Sequence, residues 1–241
     1  MAAVAQLRHV SGTASLLEVE SGSNDPFAYM LTIIILNRMA GDAENILLLV
    51  LEEVGLGIIF GAGLGLLAVR ILKHVELESG GIETILMIAF VLFSYAAPVL
   101  IGGNGYLSVY LFGFIVGNAQ YQTRISLVHF FDSIDRLAQM LIFFLLGLLV
   151  FPSMLLPILG TALLIFLVLT FIARPVAVFL VMTPFRSSWR QQALTAFAGL
   201  RGAASAVFAI IAVNNPGYGG YDVYNIVFCV AVISVGFQGL L

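Results

Sequence analysis

The apolar run at residues 16–37 is interrupted by a polar heptapeptide, Glu20-Ser21-Gly22-Ser23-Asn24-Asp25-Pro26. One interpretation makes Asp25 a helix N-cap and Pro26 the first helical residue. That helix would contain about 15 residues and extend about 22 Å, which is less than the roughly 30 Å of bilayer hydrocarbon. We therefore expect the helix to begin upstream and to carry the heptapeptide at membrane depth.

The composition excludes a soluble globular domain. The chain has 241 residues, of which 61% are hydrophobic and 10% charged, whereas soluble domains are about 45–50% apolar and about 25% charged. The apolar runs are long and do not alternate, which predicts an all-α, polytopic membrane helix bundle of about eight spans. These spans are expected near residues 16–37, 46–69, 82–101, 104–119, 135–151, 154–182, 190–213 and 222–241.

The basic residues predict the orientation of the bundle. When the loops are numbered alternately, one side receives seven of the ten basic residues and the other side receives only Arg38. By the positive-inside rule the side with seven is cytoplasmic. Both ends of the chain are therefore expected in the cytoplasm, and the remaining two basic residues, Arg174 and Arg201, fall inside spans.

Four charged residues are expected within the membrane, where a charge is costly and usually marks an ion or proton pathway. They are Glu20, Asp25, Arg174 and Arg201. Glu52 and Glu53, near the start of the second span, are expected at the membrane interface instead.

The heptapeptide brings a carboxylate, an amide and a backbone carbonyl together. In a continuous helix Glu20 and Asn24 share a face, and Pro26 cannot donate a hydrogen bond to the Gly22 carbonyl. Asp25 would then lie beside an amide and a free carbonyl oxygen. Such a carboxylate can hold a proton or a cation but not both easily, which is the minimal chemistry of cation/proton exchange.

Each intramembrane arginine has two interpretations. Arg174 precedes Pro175, which is expected to kink the sixth span, and its natural partner is Glu20. Arg201 lies in Gly199-Leu200-Arg201-Gly202-Ala203-Ala204-Ser205, whose glycines favour close packing or a locally unwound helix. Either arginine can serve a transport site or merely fix helix register through a buried ion pair.

Other patterns in the sequence predict structural features of the helices rather than a transport site. Small residues at four-residue spacing are expected to serve helix packing, and they are Gly57, Gly61 and Gly65 on the second span and Gly113 and Gly117 on the fourth. Residues 130–136 predict an amphipathic stretch at the cytoplasmic interface. We expect no resident metal or cofactor, because the three histidines lack metal-ligand spacing. Neither an enzyme nor a nucleic-acid-binding protein is expected, since no nucleophile–base set is recognisable and the net charge is −3.

Six segments of the chain form a family pattern. They are the heptapeptide, Gly105-Tyr106-Leu107-Ser108-Val109-Tyr110, Leu146-Gly147-Leu148-Leu149-Val150-Phe151-Pro152-Ser153, Arg174-Pro175, Gly199-Leu200-Arg201-Gly202-Ala203 and Ser234-Val235-Gly236-Phe237-Gln238-Gly239. In this order they resemble the monovalent cation/proton antiporters of the sodium/hydrogen exchanger family, and the bacterial potassium/proton branch most of all.

The resemblance implies a role for each matched residue. Asp25 would carry the proton and the cation in turn, and Asn24 marks the Asn-Asp type associated with one-for-one exchange. Glu20 and Arg174 would form the buried ion pair of the family. The crossing region of a broken helix would contain Gly199, Arg201, Gly202 and Ser205.

The resemblance also implies an inverted-repeat antiporter fold with broken helices. Sodium or potassium ions would be exchanged for protons by alternating access across a bacterial inner membrane. The full-length protein would be a homodimer, in which a core bundle moves against a dimerisation bundle.

One departure from the family concerns its extent. Family members have about a dozen or more spans, including an earlier helix with a Thr-Asp pair. No Thr-Asp precedes the heptapeptide here, and Ala2-Ala3-Val4-Ala5-Gln6-Leu7-Arg8 resembles the tail that follows that pair. We therefore expect residues 1–241 to be a partial transmembrane antiporter domain without the N-terminal helices and any cytoplasmic C-terminal domain. The alternatives are a passive cation channel and a non-transporting fragment with a structural role only.

Overall fold

A computed structural model describes residues 13–39, 45–74, 81–185, 187–197, 204–214 and 223–238. Within these ranges the chain is helical and has no strand, which confirms the all-α prediction. The α-helices are α1 (Thr13–Met39), α2 (Ile46–His74), α3 (Ile82–Val99), α4 (Gly105–Asn118), α5 (Arg124–Leu148), α6 (Pro152–Val168), α7 (Arg174–Met182), α8 (Trp189–Phe197), α9 (Ala204–Val213) and α10 (Val223–Gln238).

Three helical segments in the described ranges are long and apolar enough to cross a bilayer. They are Ile46–His74, Ile82–Val99 and Leu155–Phe185. The last segment contains most of α6 and all of α7. Most of their large apolar side chains are exposed, as expected for helices that face lipid. The predicted membrane helix bundle is therefore confirmed.

Helix α1 is continuous through the heptapeptide and contains Pro26 in its interior. The alternative in which Asp25 caps a helix that starts at Pro26 is therefore wrong. The heptapeptide lies within a 27-residue helix, as the length argument predicts.

The chain divides into two compact units, and the division falls inside α1 and α5. Unit I comprises Gly22–Leu141, and unit II comprises Met1–Ser21 and Ile142–Leu241.

In unit I, helix α2 packs closely against α4 along the glycines that the sequence singled out. A Cβ atom on Gly61 would lie 2.5 Å from the Ser108 carbonyl oxygen, and one on Gly65 would lie 3.1 Å from Ile115 Cβ. Only a residue without a side chain allows this approach. The packing prediction is wrong for Gly113 and Gly117, because a Cβ atom on either would meet nothing within 4 Å among the described residues.

The turn between α3 and α4 depends on a glycine with a left-handed backbone. Gly102 has φ of 83°, a conformation that is unfavourable for residues with a Cβ atom. Its neighbour Gly103 donates a hydrogen bond to the Pro98 carbonyl oxygen at 2.7 Å. The turn thereby places Asn104 at the N-cap of α4, where its side chain accepts a hydrogen bond from the Leu107 amide at 3.0 Å.

Helix α5 begins at Arg124, eleven residues before the predicted start of the fifth span at residue 135. Residues 130–136 are thus part of this longer helix, and their position at the cytoplasmic interface stays a prediction. The helix extends further because its first turns have an apolar face: Leu127 is buried, and Phe131 packs against the same cluster of unit I.

In unit II, helices α6 and α10 pack on each other around a buried cluster of Ala162, Phe166, Cys229 and Val230. A π-helical turn, Leu169–Ala173, joins α6 to α7. In this turn the Arg174 amide donates to the Leu169 carbonyl oxygen, five residues earlier. The turn immediately precedes Pro175, which has no amide hydrogen to donate.

The predicted seventh span contains two described helices, α8 and α9. Residues 198–203, which include Gly199, Arg201 and Gly202, lie outside the described residues.

Candidate functional site

In unit I, Asp25 borders a cavity of about 490 Å³. The cavity is lined by Gly22, Asp25, Pro26, Val91, Leu92, Tyr95, Tyr106, Val109 and Tyr110. Asp25 itself is exposed, whereas Pro26 is buried. The one carboxylate of the lining therefore lies among aliphatic and phenolic side chains from α3 and α4.

Gly22 allows α4 to approach this part of α1. A Cβ atom at this position would lie 2.6 Å from Tyr110 Cε2. The absence of a side chain thus creates room for the Tyr110 ring beside the cavity, one helical turn before Asp25.

Asn104 connects three helices of unit I. Its side-chain Nδ2 donates to the Pro26 carbonyl oxygen at 3.2 Å, and its backbone amide donates to the Glu53 carbonyl oxygen at 3.1 Å. Asn104 is 1% exposed, so both hydrogen bonds are shielded from water. This buried asparagine therefore fixes α1 and α2 against the N-terminus of α4.

Glu53 is buried within the protein, which the sequence interpretation did not predict. It was expected at the membrane interface, yet it is 8% exposed, with the Asn104 side chain against its carboxyl group. The reason is its position: Glu53 precedes Gly57, Gly61 and Gly65 at four-residue spacing and shares their buried face. The same spacing that predicts the packing glycines could have predicted its burial.

Tyrosines from three helices of unit I, Tyr29, Tyr95 and Tyr106, form an aromatic cluster. The Tyr29 and Tyr106 ring centroids are 4.9 Å apart, and those of Tyr95 and Tyr106 are 5.4 Å apart in an edge-to-face arrangement. Tyr106 interacts electrostatically with Asp25, and Tyr29 interacts with Glu53. The sequence interpretation assigned no role to this cluster.

In unit II, Arg174 and Glu20 form an ion pair. Arg174 Nη2 lies 2.9 Å from Glu20 Oε1, and the side chains are 25% and 39% exposed, respectively. Arg174 also donates to the Ala196 carbonyl oxygen at 3.1 Å and to that of Thr195 at 3.4 Å. These carbonyls are near the C-terminus of α8, where a cation is favoured by the helix dipole. The pair is partly exposed, whereas the family resemblance implied a buried one.

The remaining predicted site residues are more dispersed. Asn24 is exposed on α1 and is not part of the cavity lining. Ser205 is half-buried in α9, and Gly199, Arg201 and Gly202 lie outside the described residues. Among the residues that are described, no three His, Cys, Asp or Glu side chains come together as a metal site.

Comparisons with known proteins agree on one family. The sequence profile described as sodium/hydrogen exchanger, transmembrane, matches residues 1–241. The K(+)/H(+) antiporter NhaP of Alkalimonas amylolytica is 36% identical over 233 residues, which are 94% of this chain and 40% of the relative. The Na(+)/H(+) antiporter 1 of Methanocaldococcus jannaschii is 28% identical over 207 residues, which are 82% of this chain and 49% of that protein.

A solved structure shows the same fold. The sodium proton antiporter MjNhaP1 from Methanocaldococcus jannaschii, at pH 8, matches with a TM-score of 0.79 and 25% identity over 98% of this chain and 65% of that chain. The present chain spans about 40% of the length of the curated potassium/proton antiporters that it matches. The profile match over all 241 residues, the relatives and the shared fold lead to one conclusion: the chain belongs to the sodium/hydrogen exchanger family of multi-pass membrane transporters.

Proposed function

We propose that the native protein containing this chain exchanges a monovalent cation for protons, with Asp25 as the carboxylate that carries each in turn. The observation that supports this proposal is the position of Asp25, as the one carboxylate that lines the cavity in unit I. The names of the relatives support the substrates, since they pair protons with potassium or with sodium ions.

In the proposed cycle, a cation that enters the site displaces the proton from Asp25. The site then changes its access from one side of the membrane to the other, and a proton from that side displaces the cation. Asn24 contributes an amide oxygen ligand, while Glu20 and Arg174 support α1 as an ion pair. Gly199, Arg201, Gly202 and Ser205 form the crossing region of the broken helix.

The proposal also covers the membrane, the oligomeric state and the orientation of the protein. The protein lies in a bacterial inner membrane as a homodimer, with both ends of this segment in the cytoplasm. Residues 1–241 supply part of the transmembrane domain, and the remaining helices complete the site. Potassium is the first cation to test, because the more similar relatives are named potassium/proton antiporters.

The test is proton flux in vesicles that contain the native protein and a pH-sensitive dye. An outward potassium or sodium gradient should drive proton uptake, and Asp25→Asn and Asp25→Ala should abolish it. Asp132→Asn is the matched control, because Asp132 is an exposed carboxylate on α5 and its loss should leave the flux unchanged. Normal proton flux in Asp25→Ala would contradict the proposal. Cation flux that depends neither on pH nor on Asp25 would indicate a channel.

A further inference from the structure

Glu53 is a buried carboxyl group that forms no ion pair with a residue that the structure describes. It is 8% exposed, and its Oε2 atom has no hydrogen-bond partner among the described residues. Among the residues that the structure describes, the one ion pair joins Arg174 to Glu20. An ionised carboxylate that is buried without a cationic partner is strongly unfavourable, whereas a bound proton removes the charge.

The tyrosine cluster connects this carboxyl group to Asp25. Tyr29, on α1, interacts electrostatically with both Glu53 and Tyr95. Tyr95, on α3, forms a side-chain hydrogen bond with Tyr106 of α4, and Tyr106 interacts with Asp25. The rings of Tyr29 and Tyr95 both lie against that of Tyr106, and Tyr95, Tyr106 and Asp25 line the same cavity. A phenolic hydroxyl can donate one hydrogen bond and accept another, which is the chemistry that a proton relay requires.

We propose that Glu53 is a second proton-carrying carboxyl group, which exchanges protons with Asp25 through the hydroxyls of Tyr29, Tyr95 and Tyr106. This inference rests on the proposed exchange function and adds an acid–base group to it. After the cation leaves Asp25, the Glu53 carboxyl group releases its proton to the cluster. Each hydroxyl accepts one proton and releases its own, the Asp25 carboxylate binds the last, and Glu53 regains a proton from solvent. No tyrosine changes its charge.

The surroundings of Asp25 and Glu53 favour different roles for the two carboxyl groups. Asp25 borders the cavity and is exposed, so a cation can reach it. Glu53 lies on the packed face of α2, behind Asn104, and is not part of the cavity lining. Among the described residues, the side chains that interact with Glu53 are Asn104 of α4 and Tyr29 of α1. Glu53 should therefore affect proton delivery and leave cation binding unchanged.

The test compares Glu53→Gln with Glu52→Gln in vesicles that contain the native protein. Both variants replace a carboxyl group with an amide at neighbouring positions of α2, but Glu52 is exposed whereas Glu53 is buried. In Glu53→Gln, the maximal proton flux at saturating potassium or sodium should fall about tenfold or more, because a proton-transfer group is lost. The dependence of flux on external pH should shift as well. The potassium or sodium concentration that gives half-maximal flux should stay the same, and Glu52→Gln should match the unmodified protein.

If Glu53→Gln is unstable, a second variant and a second measurement still test the inference. Tyr106→Phe keeps the ring but removes a hydroxyl group from the cavity that Asp25 also lines, and it should reproduce the loss of proton flux. Infrared difference spectra recorded on a pH change should contain a carboxyl band that Glu53→Gln removes and Glu52→Gln keeps. An unmodified pH profile in Glu53→Gln or in Tyr106→Phe would overturn the inference, as would the absence of that band.

The outcomes also separate this inference from the proposed function. If Asp25→Asn abolishes exchange while Glu53→Gln and Tyr106→Phe transport normally, only the role of Glu53 is wrong. If Asp25→Asn transports normally, the proposed exchange site itself is wrong.

Discussion

Arg174 Nη2 donates a hydrogen bond to Glu20 Oε1 at 2.9 Å, and this contact joins α1 to α7 within unit II. The same guanidinium group donates to the carbonyl oxygens of Thr195 and Ala196 near the end of α8. Arg174 therefore has partners in two other helices, α1 and α8. Its loss should be more harmful than the loss of Glu20, although both variants break the same ion pair.

We expect Arg174→Gln to destabilise the protein more than Glu20→Gln. Glu20→Gln leaves the arginine bonded to the α8 carbonyls, whereas Arg174→Gln removes those hydrogen bonds and leaves a partly buried carboxylate. Because the pair is partly exposed, its coupling free energy should be about 1–3 kcal/mol, between the values for surface pairs and buried pairs. Unfolding of the single and double variants in detergent measures this coupling.

Arg190→Gln serves as the control for the ion pair, because Arg190 is exposed on α8. It should change the free energy of unfolding by less than about 0.5 kcal/mol. Strictly additive losses in the Glu20→Gln, Arg174→Gln double variant would show that the two residues do not stabilise each other.

A second prediction concerns the close contact between α2 and α4. Gly61→Ala should destabilise the protein by about 1–3 kcal/mol, because overpacking forces the helices apart. The new Cβ atom would lie 2.5 Å from the Ser108 carbonyl oxygen and 2.9 Å from Ser108 Cα. Since both are backbone atoms, no side-chain rotation can relieve the contact.

Gly63→Ala is the matched control, two residues further along α2. A Cβ atom at Gly63 would meet nothing within 4 Å among the described residues, and alanine favours the helix by about 0.5–1 kcal/mol over glycine. Thermal unfolding should therefore show a lower midpoint for Gly61→Ala and an equal or higher midpoint for Gly63→Ala. Equal midpoints for the two variants would contradict the packing found here.

The comparison of glycines shows how far the sequence can predict packing. Gly57, Gly61 and Gly113, Gly117 have the same four-residue spacing, but only the first pair has a close neighbour on another described helix. Spacing reports which residues share a helix face. It does not report which helix lies opposite that face, because the partner is distant in the sequence.

Among the charged residues too, one contact could be predicted from the sequence and another could not. The Glu20–Arg174 contact could be predicted, because two opposite charges in apolar spans favour each other over lipid. The burial of Glu53 was not predicted, because it depends on the turn that carries Asn104. That turn lies about 50 residues away in the sequence, and no local pattern connects the two.

A third prediction concerns Asn104, whose side chain caps α4 and also bonds to α1. Asn104→Ala should destabilise the protein by about 1–3 kcal/mol, because it removes the N-cap bond from the Leu107 amide and the buried bond to the Pro26 carbonyl oxygen. Asn104→Ser should be intermediate, since its hydroxyl can still accept from the Leu107 amide but is too short to reach the Pro26 carbonyl oxygen. Denaturant unfolding of the variants in detergent measures the three stabilities.

Asn118→Ala is the control for Asn104. Asn118 is exposed, and its side chain donates to the Phe114 carbonyl oxygen within its own helix, so its loss should cost less than about 0.5 kcal/mol. If Asn104→Ala and Asn118→Ala are equally stable, the side-chain hydrogen bonds of Asn104 contribute nothing. If Asn104→Ser is as unstable as Asn104→Ala, the capping bond contributes nothing and the bond to Pro26 accounts for the whole loss.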